Sequence, residues 1–160
     1  LGTSQVNLVE WDNPSGSVIP NVNAAYVNAV SAENLTGGSG ISLQPLQWEG
    51  FKGSPWTTSF SIDENKYFQV AISAKTGYKI KLGTYNFTYS GDSNLYVQRY
   101  QVRYSKDNFA TSTLLIDEAT QTGKVNKSID LSKITLYAGE RLTLRIYGYK
   151  LKSNKDNNSP

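Results

Sequence analysis

YVQRYQVRY, residues 96–104, alternates without interruption. Tyr96, Gln98, Tyr100, Val102 and Tyr104 share one side of an extended chain, and Val97, Arg99, Gln101 and Arg103 share the other. A period of two is the mark of a β-strand with two unlike faces. The same reading extends to residues 141–149 (RLTLRIYGY): Leu142, Leu144 and Ile146 point inward, with Thr143, Arg145, Tyr147 and Tyr149 outward. In residues 67–73, Phe68, Val70 and Ile72 oppose Tyr67, Gln69, Ala71 and Ser73.

Tyr78, Ile80 and Leu82 share a parity that Tyr85, Phe87 and Tyr89 reverse. A one-residue slip exchanges the faces of a strand, so a bulge or bend is expected at Gly83-Thr84. Two short strands are expected at 114–116 and 127–131, and a weaker one at 5–11, with Val6, Leu8 and Glu10 opposite Asn7, Val9 and Trp11. Residues 23–35 contain enough Ala for a helix but lean to strand, and Pro45 and Pro55 make 41–58 irregular or edge-like. Turn signals separate the segments: Asp12-Asn13-Pro14-Ser15-Gly16, Thr76-Gly77, Ser90-Gly91-Asp92, Ser105-Lys106-Asp107-Asn108 and Ala138-Gly139-Glu140. This spacing predicts an all-β antiparallel β-sandwich, jelly-roll-like, of about eight or more strands. Residues 1–151 read as a single domain, and 152–160 (KSNKDNNSP) as a polar tail or linker. The predicted core is Phe68, Val70, Ile72, Ile80, Leu82, Val102, Leu142, Leu144 and Ile146.

Composition excludes much chemistry. The 160 residues contain no Cys and no His. Disulfide frameworks, thiolate metal sites, the usual zinc ligands and a Ser-His-Asp triad are therefore ruled out. Lys and Arg outnumber Asp and Glu by 16 to 13, a net charge of +3 too mild and too scattered to imply nucleic acid. No apolar run approaches the ~20 residues of a membrane-spanning helix, so no membrane insertion is expected. The lack of Met even at position 1 suggests a mature or excised fragment. Eleven Tyr and thirteen Gly, with abundant Ser, Thr and Asn, suit a secreted or cell-surface β domain.

Five stretches carry a resemblance: Trp56, Tyr67-Phe68-Gln69-Val70, Gly77-Tyr78-Lys79-Ile80-Lys81-Leu82, Val102-Arg103-Tyr104-Ser105-Lys106-Asp107-Asn108-Phe109 and Leu142-Thr143-Leu144-Arg145-Ile146-Tyr147-Gly148-Tyr149. Over residues 5–150 the chain resembles accessory sandwich domains, jelly-roll or galactose-binding-like, of secreted multidomain proteins of Bacteroidetes and similar bacteria. Such domains sit beside glycan-degrading enzymes, adhesins or surface-sorting signals. The resemblance implies a carbohydrate-binding-module-like role and brings no catalytic residue with it. Asn108 stands where such a turn would carry Gly, and Asn also tolerates the left-handed conformation.

The candidate ligand site is the outward row Arg99, Gln101, Arg103, Arg145, Tyr147 and Tyr149. If both strands lie in one sheet, flat rings and planar guanidinium donors form a platform. Sugars need that pairing, and Arg also recognises carboxylate or sulfate. The competing reading is an ordinary sheet face on which Arg stems cover Tyr rings. Trp56, before Trp48, is a candidate rim for stacking, while a Trp plugging one end of the sandwich is the alternative for Trp11, Trp48 and Trp56. Glu10, Asp12, Asp92 and Asp107 are weak calcium candidates near strand ends. Glu33, Glu49 and Asp63-Glu64 are available as carboxylates, but nothing marks them as the pair a glycosidase needs, and no enzyme is expected.

The function expected is that of a non-catalytic carbohydrate-binding module, monomeric, binding a polysaccharide that is neutral or acidic. Its other partners are neighbouring domains of the same parent chain. The alternative is a structural or adhesive spacer domain of a bacterial surface protein without glycan binding.

Overall fold

The structure is a computed structural model that describes residues 7–12, 16–46, 50–91 and 95–153. Of these residues 54% are strand and 2% helix, so the chain is all-β, and its sheets are antiparallel. In chain order the strands are β1 (Val9–Glu10), β2 (Asn21–Val22), β3 (Val30–Ala32), β4 (Thr36–Gly37), β5 (Ser42–Leu46), β6 (Gly50–Ser54) and β7 (Phe68–Ala74). They continue with β8 (Ile80–Lys81), β9 (Thr84–Ser90), β10 (Leu95–Ser105), β11 (Thr113–Ala119), β12 (Lys124–Asp130), β13 (Thr135–Leu136) and β14 (Arg141–Ser153). No helix among the described residues is long and apolar enough to cross a membrane.

One layer is a sheet in the order β11-β10-β14-β7-β3, with β4 also on β7. The two longest strands, β10 and β14, lie side by side at its centre. The other layer is built from the pairs β9/β12 and β8/β13. These pairs are joined where Leu82 N donates to Ile134 O (3.2 Å) and Leu131 N donates to Gly83 O (2.8 Å). The expected break falls there: Ile80 is buried before it, and Tyr85, Phe87 and Tyr89 turn toward the core after it. Tyr78 does not follow Ile80 inward, because it precedes the strand and stays 44% exposed.

Between the layers lie Val70, Tyr100, Val102, Leu142 and Leu144 from the large sheet and Ile80, Ile129, Leu131, Ile134 and Leu136 from the small one. Fully burying one such side chain stabilises the fold by ~1.5–3 kcal/mol. Ile72, Leu82 and Ile146 are half-buried against this core. Phe68 is half-buried too, with its ring edge-on to Trp56.

The ambiguous 23–35 stretch divides. A 3-10 turn spans Ala24–Tyr26, where Asn23 Oδ1 accepts from Ala25 N (3.0 Å), and β3 then pairs with β7. Strands β5 and β6 form a hairpin outside the large sheet, as two prolines in the 41–58 region imply. In the first segment it is Leu8, Val9 and Trp11 that pack on the core, while Glu10 is exposed. Strand β14 runs to Ser153, with Lys152 paired to Tyr96.

Candidate functional site

Register decides whether the Arg/Tyr row exists. Arg99 lies opposite Tyr149, Gln101 opposite Tyr147, and Arg103 opposite Arg145. All six residues therefore sit on one face of one sheet, the face away from the core. Strand β7 adds Gln69 opposite Arg145, and β11 adds Asp117 opposite Gln101.

The expected openness of that face is corrected. Tyr147 is 3% exposed and Tyr149 4%, so neither ring is presented to a ligand. The Tyr67 ring lies 5.5 Å from that of Tyr147. The hairpin loop 106–112 folds back over the sheet, with left-handed backbone at Asn108 (φ 57°) and Phe109 (φ 63°). Ser105 Oγ accepts from Phe109 N (2.9 Å) and donates to Asp107 Oδ1 (2.6 Å). Phe109 thereby covers Arg145, whose guanidinium is sandwiched between the Phe109 and Tyr67 rings at 3.8 and 3.9 Å from their centroids. Thr143 is fully buried, with its Oγ1 lacking a hydrogen-bond partner.

Asp117 is the hub of the face. Its Oδ1 accepts from the Tyr149 hydroxyl (2.6 Å) and an Arg99 terminal nitrogen (3.1 Å), and its Oδ2 accepts from Gln101 Nε2 (3.0 Å). Arg99 Nε donates to the Tyr149 hydroxyl (3.0 Å), and Arg103 donates to Gln101 Oε1 (2.9 Å) and Ser112 Oγ (3.3 Å). Arg145 Nε donates to Gln69 Oε1 (2.8 Å) and a terminal nitrogen to the Tyr147 hydroxyl (3.4 Å). Partial burial pushes the Asp117 carboxyl upward, but hydrogen bonds from Tyr149, Arg99 and Gln101 outweigh it and hold the group below its ordinary value. It is an ionised acceptor at neutral pH. Bonds to Tyr149 and Asp117 raise Arg99 further above its usual value, and burial raises both Tyr147 and Tyr149. The half-exposed edge is polar, with the Arg99 and Asp117 side chains 35% and 30% exposed.

The remaining candidates lie elsewhere. The Trp56 indole packs edge-on against Phe68, with ring centroids 5.2 Å apart. It also passes 3.1 Å from where a side chain at Gly148 would begin, so that glycine is what admits the ring. Trp56 fills space between Phe68 and Gly148. Trp11 packs on the core with its Nε1 donating to Glu33 O (2.8 Å), and Trp48 lies outside the described residues.

Of the calcium candidates, Asp92 lies outside the described residues, Glu10 bonds Asn7 Nδ2, and Asp12 is exposed. Asp107 is occupied by its own loop: Ser105, then Thr111 through hydroxyl and backbone amide, hold its carboxyl down to about 2. Among the described residues no three His, Cys, Asp or Glu side chains gather into one group. Of the other carboxylates, Glu33 forms a bidentate pair with Arg141, and Asp63 caps its own turn through Asn65 N (2.9 Å).

Sequence reasoning missed Asp117, Gln69, Tyr67 and Phe109. Gln69 was legible, since it shares the outward parity of β7. Asp117 was not, because its segment looked too short to carry a second face. No family model matches the chain, and no curated protein or solved structure matches it either.

Proposed function

We propose that this chain is a non-catalytic polysaccharide-binding domain of a secreted multidomain protein, of the accessory-domain kind its sequence resembles. One observation carries the reading: Arg99, Gln101, Arg103 and Asp117 form a fixed, half-exposed row of donors and acceptors on adjacent strands. Sugar hydroxyls need donors and acceptors close together, and a row held by its own hydrogen bonds loses little side-chain entropy on binding. Recognition runs through this polar row and not through stacking on Tyr147 or Tyr149. Attached to an enzyme or an adhesin through a flexible segment, such a domain raises the local concentration of its polymer by tethering.

A second reading, a spacer or adhesive domain, is favoured by a specific observation. The charged groups of the face are largely paired with one another, as Arg99 with Asp117 and Arg145 with Gln69 and two rings. Binding measured across neutral and acidic polysaccharides, with and without Ca²⁺, separates the two. Arg103→Ala and Asp117→Asn should each weaken binding at least several-fold, since charge-assisted bonds contribute about 1.5–3 kcal/mol when desolvated and less on an open surface. Silence of the parent protein across the whole panel establishes the spacer reading instead.

A further inference from the structure

We propose that Phe60 is a stacking ring of this domain, seating one sugar unit of the polysaccharide. The inference rests on the polysaccharide reading and supplies what the sheet face lacks, an open aromatic surface. Phe60 is 83% exposed, whereas Tyr147 and Tyr149 are closed off and Trp56 is packed. A lone exposed ring is ordinary on a protein surface. Phe60 differs in how it is held.

Ser59 O accepts from Lys150 N (3.0 Å) and Thr57 O accepts from Leu151 N (2.9 Å), which pins the loop to β14. Inside the loop, Ser59 N donates to Thr57 Oγ1 (3.2 Å) and Ser61 N to Ser59 Oγ (3.3 Å). Lys150 has left-handed backbone within an otherwise regular strand (φ 55°), and its Nζ sits 5.0 Å from the Phe60 ring centroid. Backbone strain of this kind persists only where the surroundings enforce it. The cation lies near the ring, and the loop leaves the rest of the aromatic surface in water.

The setting names the partner chemistry. Thr57, Thr58, Ser59 and Ser61 flank the ring in sequence with hydroxyls, not with the apolar residues that form the centre of a protein interface. A sugar matches this mixture: its C–H face lies on the electron-rich ring, and its hydroxyls reach Ser, Thr and the Lys150 ammonium. The loop that holds Phe60 is bonded to the backbone of β14 at Lys150 and Leu151, the strand that also carries Tyr149.

The experiment is an NMR titration of the labelled protein with hexasaccharides of β-1,4-glucose, β-1,4-mannose and α-1,4-galacturonate, together with affinities for Phe60→Ala and Phe60→Trp. Binding should shift the Phe60 ring and Lys150 signals. Phe60→Ala should weaken affinity at least about tenfold, and Phe60→Trp should keep or raise it. Both variants should melt within about 2 °C of the parent, as exposed sites do. If Phe60→Ala binds like the parent while Arg103→Ala does not, stacking at Phe60 is wrong and the polysaccharide reading stands. If no hexasaccharide binds the parent and the Phe60 signals stay still, both fall. If Phe60→Ala changes only self-association in sedimentation, the ring serves a protein contact and the proposal is overturned.

Discussion

Strands β9 and β14 carry the same alternating pattern and meet different fates. In β9, Tyr85, Phe87 and Tyr89 face the core, while Thr84, Asn86, Thr88 and Ser90 are exposed, a clean split between oil and water. In β14, Leu142 and Leu144 are buried on the core side, yet Thr143, Tyr147 and Tyr149 are buried on the other. The pattern does not differ; the neighbours do. Among the described residues β9 pairs with β12 alone, whereas β14 is flanked by β10 and β7 and roofed by Tyr67 and loop 106–112. Alternation reports that a strand has two faces. It does not report which of them the rest of the chain will cover.

The comparison breaks most visibly at Tyr147. If its face is a second packed layer, Tyr147→Ala should cost about 3–5 kcal/mol, as truncating a buried aromatic does. A loss below about 1 kcal/mol in a denaturant melt would mean an open face. Next comes Leu144→Ala on the core side of the same strand, expected at about 2–5 kcal/mol. Comparable losses from opposite faces of β14 are the signature of a strand buried on both. Asp117→Asn should cost less, about 1 kcal/mol at neutral pH, because the hub it removes is partly exposed and screened. Smallest of all, Asn86→Ala on the open face of β9 should stay within about 0.5 kcal/mol.

Acid sharpens the same contrast. Asp117, Glu118, Glu33 and Asp107 all have carboxyls held below their ordinary values in the fold. For Glu118 the first cause is the hydrogen bond from Lys127, and for Glu33 it is the one from Arg141. A carboxyl lowered by folding contributes stability that is complete above its unfolded value, about 3.9 for Asp and 4.3 for Glu. That contribution is lost as pH falls through the lower, folded value. The parent should therefore lose stability below about pH 4, and Asp117→Asn should show a shallower decline. Identical acid curves would remove Asp117 from the role of hub.

Much of this molecule was legible in one dimension. The alternation of residues 96–104 and 141–149 marked the two central strands, and the parity conflict between Leu82 and Tyr85 located the break at Gly83. The left-handed backbone at Asn108 agrees with its place in the turn, where the resemblance implies Gly and where Asn is among the few side chains that tolerate that conformation. Such features arise from interactions a few residues long, so the local pattern contains their cause. That Tyr147 and Tyr149 are closed off is not legible there, because their neighbours are distant in the chain: Tyr67 beside Tyr147, and Asp117 and Arg99 on the Tyr149 hydroxyl. Likewise, whether Arg99 meets Tyr149 depends on a pairing across 50 residues, and the fate of Trp56 on a missing side chain at Gly148. The sequence by itself determined strand, turn and the chemical character of each face. Only the tertiary structure decided which faces close and which rings, Phe60 above all, remain in water, because burial is a property of what packs on a residue and not of the residue itself.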